Sequence, residues 1–452
     1  MLQASSPGKV LILGGYLIVR APNVGISIGV NARFTTRVVS TSEAQDGKVV
    51  VHIHSPQFGQ SYSFECVVHD PAQVQITQTA GNKSPFLYYA ILFAISAAVM
   101  RGDSLKESVK IELLADNDFY SQRNYLESKG IPVCVENLRQ LPENCPLVGE
   151  VSKTGLGSSA AMTTSVVACI FSFYHGITEE QEFIHRIAQV AHSVAQGKIG
   201  SGFDVYTAVY GTCAYRRFPA EKVEAMMKEA TDLHTVPVAD LQACVDLKEN
   251  WVTHVPFHLP SGIKLVLGDV HQGGSSTPGM VAKIMNWQKE NAASKDNLWE
   301  QLRVNNEAYI SSLQSLIQHS ADGPEAYNAA VEKLSHVSRI ESYKGADRFE
   351  ESIVEACQFA ANSRRLLREM GVAAGVKVEP EELTELLNDT AELPGVFAVG
   401  CPGAGGYDAV FALVLGDKNC EAVEKFWEGY SKMNVCPLTV REDPGGLLIS
   451  KI

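Results

Sequence analysis

Lys153–Ala161 reads KTGLGSSAA, with Gly155 and Gly157 flanking Leu156, then Ser158, Ser159, Ala160 and Ala161, and an apolar run on to Tyr174. A turn without side-chain bulk thus enters a helix. The first N–H groups of a helix lack intrahelical partners, and its dipole adds about half a positive charge there. Such a turn binds phosphate. The hydroxyls of Ser158 and Ser159 can cap the helix or reach a metal carried by that phosphate. A Gly-Ser turn is also a common plain helix entry. No lysine follows the second glycine as a P-loop requires. The chemistry therefore needs partners from elsewhere in the chain.

Several are available. Lys9 stands at the mouth of an apolar strand in SPGKVLILGGY. A lysine there either snorkels into water or offers its charge to an anion. In AQGKIGSGFDVY, three glycines surround Lys198 and Ser201, and Asp204 follows at the edge of the apolar Val205–Val209. A carboxylate so placed is costly to bury unless paired. It reads equally as a helix cap and as a catalytic acid with a lysine partner. A second Gly-Ser helix entry, HQGGSSTPGMV, offers Ser275, Ser276 and Thr277, with Pro278 suited to a first helical position. Two such entries suggest two anionic groups to be held. Gly403, Ala404, Gly405 and Gly406 lie between two apolar strands. They form either a loose hairpin turn or a place where backbone meets ligand. Asn117 and Asp118, past a strand end, either close an Asx turn or line a pocket.

The elements that must position these residues follow from pattern. Lys9–Leu13, 25–39, 48–54, Ser61–Val68, Ser108–Ala115, Ile263–Asp269, the flanks of Gly403–Gly406 and Pro437–Arg441 read as strands. Pro85–Met100, the run to Tyr174, a segment to Gln196 opened by a Thr178/Gln181 capping box, 297–319, 324–340, 347–370 and Pro380–Leu393 read as helices. Residues 122–145 are polar and read as irregular loop. The mixture indicates an α+β protein. Its 452 residues exceed one core, and the charged, glycine-free 218–252 marks a boundary between domains 1–218 and 219–452.

Composition narrows the function. Hydrophobic content of 45% and charged content of 20% fit a globular protein. A net charge of −13 argues against nucleic acid or an anionic membrane as partner, and an anionic substrate would need a local positive site. Ten cysteines without a CxxC pair fit reduced thiols in the cytoplasm. Leu87–Val99, the longest apolar run, is too short to span a bilayer. The terminal Ser450-Lys451-Ile452 differs by one residue from a peroxisomal Ser-Lys-Leu address. The expectation is cytoplasmic, with peroxisomal residence open.

SPGKVLILGGY, KTGLGSSAA and CPGAGGYDA, in that order, resemble the three signature motifs of the GHMP small-molecule kinases. With DNDFYSQR, AQGKIGSGFDVY, GDVHQGGSSTPGMV and REDP, the chain from Ser6 to Pro444 is similar to the eukaryotic type of phosphomevalonate kinases. The resemblance implies a two-domain fold with a left-handed βαβ crossover in the N-terminal domain, an exception to the usual hand. The active site would lie in the cleft between the domains. It implies ATP phosphates over Gly155, Leu156, Gly157, Ser158, Ser159 and Ala160, with Lys153 beside them and Asn117 toward the nucleoside. Ser159 would help hold Mg²⁺, and Lys9 and Asp204 would face the transferred phosphoryl group. Lys198, Ser201, Ser275, Ser276, Thr277, Gly403, Ala404 and Gly405 would serve phosphomevalonate, together with Lys9. A monomer or weak homodimer is implied. Mevalonate kinase and mevalonate diphosphate decarboxylase share the three motifs and remain alternatives. A ligand sensor without turnover would be expected to have lost Asp204, Lys9 or the glycines.

Two departures stand out. Ser152, Lys153 and Thr154 occupy the stretch where the family motif usually begins with proline. His192 falls where mevalonate kinases place a metal-binding glutamate, and imidazole suits hard Mg²⁺ poorly. That leaves water, the nucleotide or another acid as the second metal ligand.

Overall fold

The β-branched and alternating stretches become fourteen described strands. They are β1 (Leu2–Leu13), β2 (Val24–Glu43), β3 (Lys48–Ser55), β4 (Gln60–His69), β5 (Gln73–Ala80), β6 (Glu107–Ala115), β7 (Cys213–Arg216), β8 (Thr235–Pro237), β9 (Val255–Pro256), β10 (Ile263–Val270), β11 (Val396–Gly400), β12 (Ala409–Leu415), β13 (Val435–Pro437) and β14 (Leu448–Lys451). The structure is a computed structural model. It describes residues 1–69, 73–248, 250–251, 255–270, 277–291 and 297–452, with all side chains except those of 228–233 and 277–278.

Among these residues ten strands form one sheet in the order β14-β1-β2-β6-β3-β4-β5-β8, with β7 beside β2 and β9 beside β7. Only the β3–β6 pairing in it is parallel. The second sheet is antiparallel, in the order β11-β12-β10-β13. In β2, residues 25–30 are buried on both faces, and alternation begins only after Asn31. This marks β2 as the centre of the sheet, and β1, β6 and β7 all pair with it.

The apolar helix Pro85–Met100 has no polar face, and from Ala90 to Ala98 it is buried on every side. Helices Ser158–His175 and Gln181–Gln196 pack against it. A buried hydrogen bond of 2.9 Å, Ser165 to Thr36, ties the first of these to the sheet. In the C-terminal half, helices Leu298–Asp322 and Arg348–Ala373 are capped by Asn297 and Asp347 side chains. They share a polar seam in which Asn305 donates to Ser363 at 2.7 Å.

The structure departs from the sequence reading at five places, the first being that the helix expected over 324–340 ends at Leu334. The helix to Gln196 begins at Gln181 behind Glu180, and the buried Thr178 hydroxyl has no partner, so no capping box forms. The polar 122–145 stretch holds two short helices, Arg123–Ser128 and Val135–Arg139. Pro437–Arg441 contributes only its first residue to a strand. The expected division at 218 is crossed by pairing, since β8, β9 and β14 all join the large sheet. Strand pairing is a backbone property, and the charged surface composition of 218–252 carries no information about it.

Candidate active site

The glycine-rich turn and β1 are built as one unit. Gly157, at φ +76°, precedes helix Ser158–His175, a conformation that side chains disfavour. A Cβ on it would sit 2.9 Å from Lys9 Cε. The Lys9 backbone N–H donates to Leu156 O at 2.9 Å, and its ammonium donates to Gly155 O at 2.8 Å. The β1–β2 register shifts between Pro7 and Gly8, directly before Lys9. Such bulges re-aim side chains. The N–H groups of Ala160 and Ala161 turn inward to Gly157 O, which leaves those of Ser158 and Ser159 for a ligand. Ser158 is buried, and its hydroxyl lies near the Tyr120 phenol and draws the pKa of that phenol down against the upward push of burial. Ser159 instead meets His192, whose Nε2 lies 3.2 Å from its Oγ.

The opposite wall is the loop 197–202. Three of its carbonyls are fixed from outside: Ile199 by the Ser193 hydroxyl at 3.2 Å, Gly200 by Arg217 at 2.6 Å, and Ser201 by the Tyr215 hydroxyl at 2.7 Å. Gly202 precedes helix Phe203–Tyr210, where a Cβ would lie 2.5 Å from the Phe218 ring. Asp204 therefore lies inside the first helical turn, and the capping reading lapses. One of its oxygens accepts the Val205 N–H at 3.0 Å.

Lys9 is half-buried. Desolvation lowers its ammonium pKa, while the carboxylates of Asp204 and Asp408 raise it through space. Asp408 is itself pushed up by burial and pulled back by Lys9. Burial likewise lowers the pKa of His192; Asp204 opposes this, and Lys198 and Lys153 reinforce it. Its imidazole is therefore neutral at physiological pH.

These parts surround a cavity of ≈ 700 Å³ that is closed on the far side by Val281, Ala282 and Met285 of helix Thr277–Glu290. Lys9, Arg20, Lys153, Lys198, Arg217 and Lys289 line it. Among the described residues Asp204 is the one carboxylate on that lining. In a chain of net charge −13, this is a local inversion of sign. Sequence reasoning missed Arg20, Arg217, Lys289 and Asp408. The first three belong to no motif. Asp408 sits inside one, CPGAGGYDA, whose glycines drew attention away from it.

The remaining expected residues divide. Lys153, Gly155, Leu156, Gly157, Ser158, Ser159, Lys198 and Ser201 all line the cavity, while Ala160 is buried behind the turn. Asn117 lies elsewhere, donating to Pro142 O at 2.9 Å and accepting from Cys145 N–H at 2.8 Å. It pins its own loop, and Asp118 beside it accepts from Thr439. Gly403, Ala404 and Gly405 are used in packing. The Gly403 N–H donates to Leu11 O at 3.0 Å, and the Tyr16 hydroxyl donates to Ala404 O at 2.5 Å. A Cβ on Gly405 would collide with Val378 O. Ser275 and Ser276 lie outside the described residues, and of Thr277 only its place at the helix start is described. No group of three His, Cys, Asp or Glu residues among the described residues could hold a metal unaided.

Comparison with known proteins adds an independent line. Residues 131–212 match the family model of the GHMP kinases N terminal domain. A peroxisomal phosphomevalonate kinase of Arabidopsis thaliana is 35% identical over 99% of this chain and 95% of its own. A phosphomevalonate kinase of Gibberella zeae is 32% identical over 95% of this chain and 91% of its own. In fold, the chain matches the Streptococcus pneumoniae phosphomevalonate kinase solved with phosphomevalonate and AMPPNP. The TM-score is 0.61 at 15% identity, over 98% of this chain and 100% of that one.

Proposed function

The chain belongs to the phosphomevalonate kinases, within the GHMP kinase fold, and from that premise we propose that ATP and phosphomevalonate react in the cleft over Gly155–Ser159. The reaction is ATP-dependent phosphorylation of phosphomevalonate to diphosphomevalonate, with release of ADP, in the mevalonate pathway. Relatives matched over nearly the full chain carry that name, so the sibling activities give way to it.

One observation carries the assignment to this cleft: six cationic side chains against one carboxylate in an acidic protein. Two polyanions must be brought together, and phosphoryl transfer is mostly positioning and electrostatics. The nucleotide phosphates take the N–H groups of Ser158 and Ser159 and the charges of Lys153 and Lys9. Phosphomevalonate takes Lys198, Ser201 and the cationic wall of Arg20, Arg217 and Lys289. Its phosphate has a second pKa of about 6, so roughly nine-tenths is dianion at pH 7. No strong base is then required. Asp204 sets the field around Lys9 and the reacting phosphates.

Mg²⁺ fits this donor set. It favours oxygen, and it is commonly held by one or two carboxylates together with substrate phosphates. Asp204 is the carboxylate of the lining, the hydroxyls of Ser158, Ser159 and Ser201 and the Gln196 amide are its other side-chain oxygens, and His192 offers only nitrogen. Bound with ATP, the ion supplies charge neutralisation at the phosphates.

A coupled ADP-release assay with mevalonate, phosphomevalonate and diphosphomevalonate tests the reading, with turnover expected on phosphomevalonate alone. Asp204→Asn should lower kcat without recovery at high pH. Full recovery would make Asp204 a general base. For location, no helix among the described residues is long and apolar enough to cross a membrane. The Arabidopsis relative's name supports a peroxisomal location over the cytoplasm.

A further inference from the structure

The REDP stretch, Arg441–Pro444, lies against the strand pair that carries Lys9 and the helix that carries Asp204. In the β1–β2 register Lys9 stands opposite Gly29. The other edge of β2 pairs with β7 up to Ser27 and with β6 from Phe34 onward. In the interval between them the C-terminal chain takes that edge. Asn31 N–H donates to Arg441 O at 3.0 Å, Asp443 N–H donates to Gly29 O at 2.9 Å, and Val30 bridges Glu442 in the antiparallel sense. The Asn31 side chain accepts the Arg441 N–H at 2.9 Å.

The same chain then reaches helix Phe203–Tyr210. The last carbonyls of a helix lack intrahelical partners, and Leu447 N–H donates to one of them, Val209 O, at 2.9 Å. The approach leaves no room for side chains. A Cβ on Gly211, just after the helix, would collide with Pro444 O, and one on Gly29 would lie 2.7 Å from Asp443 O. Strand and helix are also joined directly, because Gly29 N–H donates to the buried Thr212 hydroxyl at 3.0 Å. The segment keeps its bend through Asp443, whose Oδ1 accepts the Gly445 N–H at 2.9 Å, and Arg33 holds the Gly446 carbonyl. Glu442 Oε1 accepts the Leu259 N–H at 3.1 Å, which anchors the segment just before β10 of the second sheet.

We infer that Arg441–Leu447 is a positioning strap, which fixes Lys9 and Asp204 relative to each other for phosphoryl transfer. The helix that carries Asp204 has eight residues, too few to hold its own axis in water. Val209 follows Asp204 at about 7.5 Å along that axis, so a displacement at the strapped end is carried to the carboxylate. At the other end of the strap, Gly29 is held between Asp443 and the strand of Lys9. Phosphoryl transfer depends on position, and a misplacement of about 1 Å costs up to about a hundredfold in rate. Asn31 and Asp443 are thus positioning residues that act through backbone. The inference rests on the cleft reading above, in which Lys9 and Asp204 face the reacting phosphates.

The test is kcat per folded molecule, with KM for ATP and for phosphomevalonate, in full chains altered at the strap. Asp443→Ala, which opens the bend, should lower kcat about tenfold and leave both KM values within about twofold. Asp443→Asn keeps the acceptor for Gly445 and should restore kcat. Asn31 is exposed, so Asn31→Ala should fold normally; it should lower kcat about threefold, and it takes the place of Asp443→Ala if that chain does not fold. In a Lys9→Met background the strap substitution should cost little more, because the pair it holds is already broken. A full additive loss there overturns the inference, as does a rise in KM with kcat unchanged. Wild-type kcat in the strap variants, with Lys9→Met impaired, overturns the strap alone. Wild-type kcat in Lys9→Met defeats the cleft reading and the strap with it.

Discussion

The two glycine-rich turns, Gly155–Gly157 and Gly403–Gly406, look alike in sequence and are used in opposite ways. The first opens onto the cleft. A Cβ on Gly155 would meet nothing, and one on Gly157 would touch only the flexible stem of Lys9. The second is closed against the protein. A Cβ on Gly15 would lie 2.5 Å from Gly403 O, one on Gly405 would strike Val378 O, and the Gly406 N–H donates to that carbonyl at 2.9 Å. One turn keeps its N–H groups for a ligand, and the other spends them on neighbouring backbone. Glycine permits close approach in both cases, and what approaches differs. The second turn still bears on chemistry, because it carries Asp408 to the field around Lys9.

That contrast can be broken by experiment. The largest effect belongs to the open turn. Lys9→Met should lower kcat by about 10²–10³, the cost of one well-placed electrostatic group, with the denaturation midpoint little changed. Near-normal kcat would remove Lys9 from the mechanism and leave it a mere strut on Gly155.

Next comes Gly405→Ala in the closed turn. Overlap with Val378 O and a φ of +75° should cost about 3 kcal/mol or more of stability in urea denaturation. The molecules that stay folded should keep their KM for ATP. An unchanged midpoint would show the turn to be loose, and the comparison would collapse.

Lys198→Met should raise the KM for phosphomevalonate about tenfold while leaving that for ATP nearly unchanged. Equal shifts in both would erase the division of the cleft between donor and acceptor. The smallest effect is expected at Gly403→Ala. Its Cβ would meet nothing, so only the φ of +67° resists, at about 1 kcal/mol. A loss as large as that of Gly405→Ala would mean that strain, not contact, dominates this turn.

Much of the site was legible because its chemistry is local. A glycine turn before a helix, a lysine at a strand mouth and an acid between glycines and an apolar run are all short-range patterns. Lys9, Gly155–Ser159, Lys198, Ser201 and Asp204 do converge on one cavity. Asn117 misled because an amide past a strand end serves a loop as readily as a ligand, and its hydrogen bonds go to residues 142 and 145. Arg217 was invisible because its role depends on Val19 and Gly200, carbonyls far from it in the chain that accept at 2.5 Å and 2.6 Å.

Period, punctuation and composition thus determined the helices, the main strands, the α+β class and the glycine turn entering a helix, on which the proposed phosphate chemistry rests, since these follow from backbone conformation and neighbouring side chains. The tertiary structure alone decided which strands share a sheet, which glycine turn faces solvent, and how six cations meet in a chain of net charge −13. Those outcomes depend on distance in space between residues remote in sequence. A hydrogen bond or a Coulomb interaction responds to that distance and to burial, neither of which is written in local spacing.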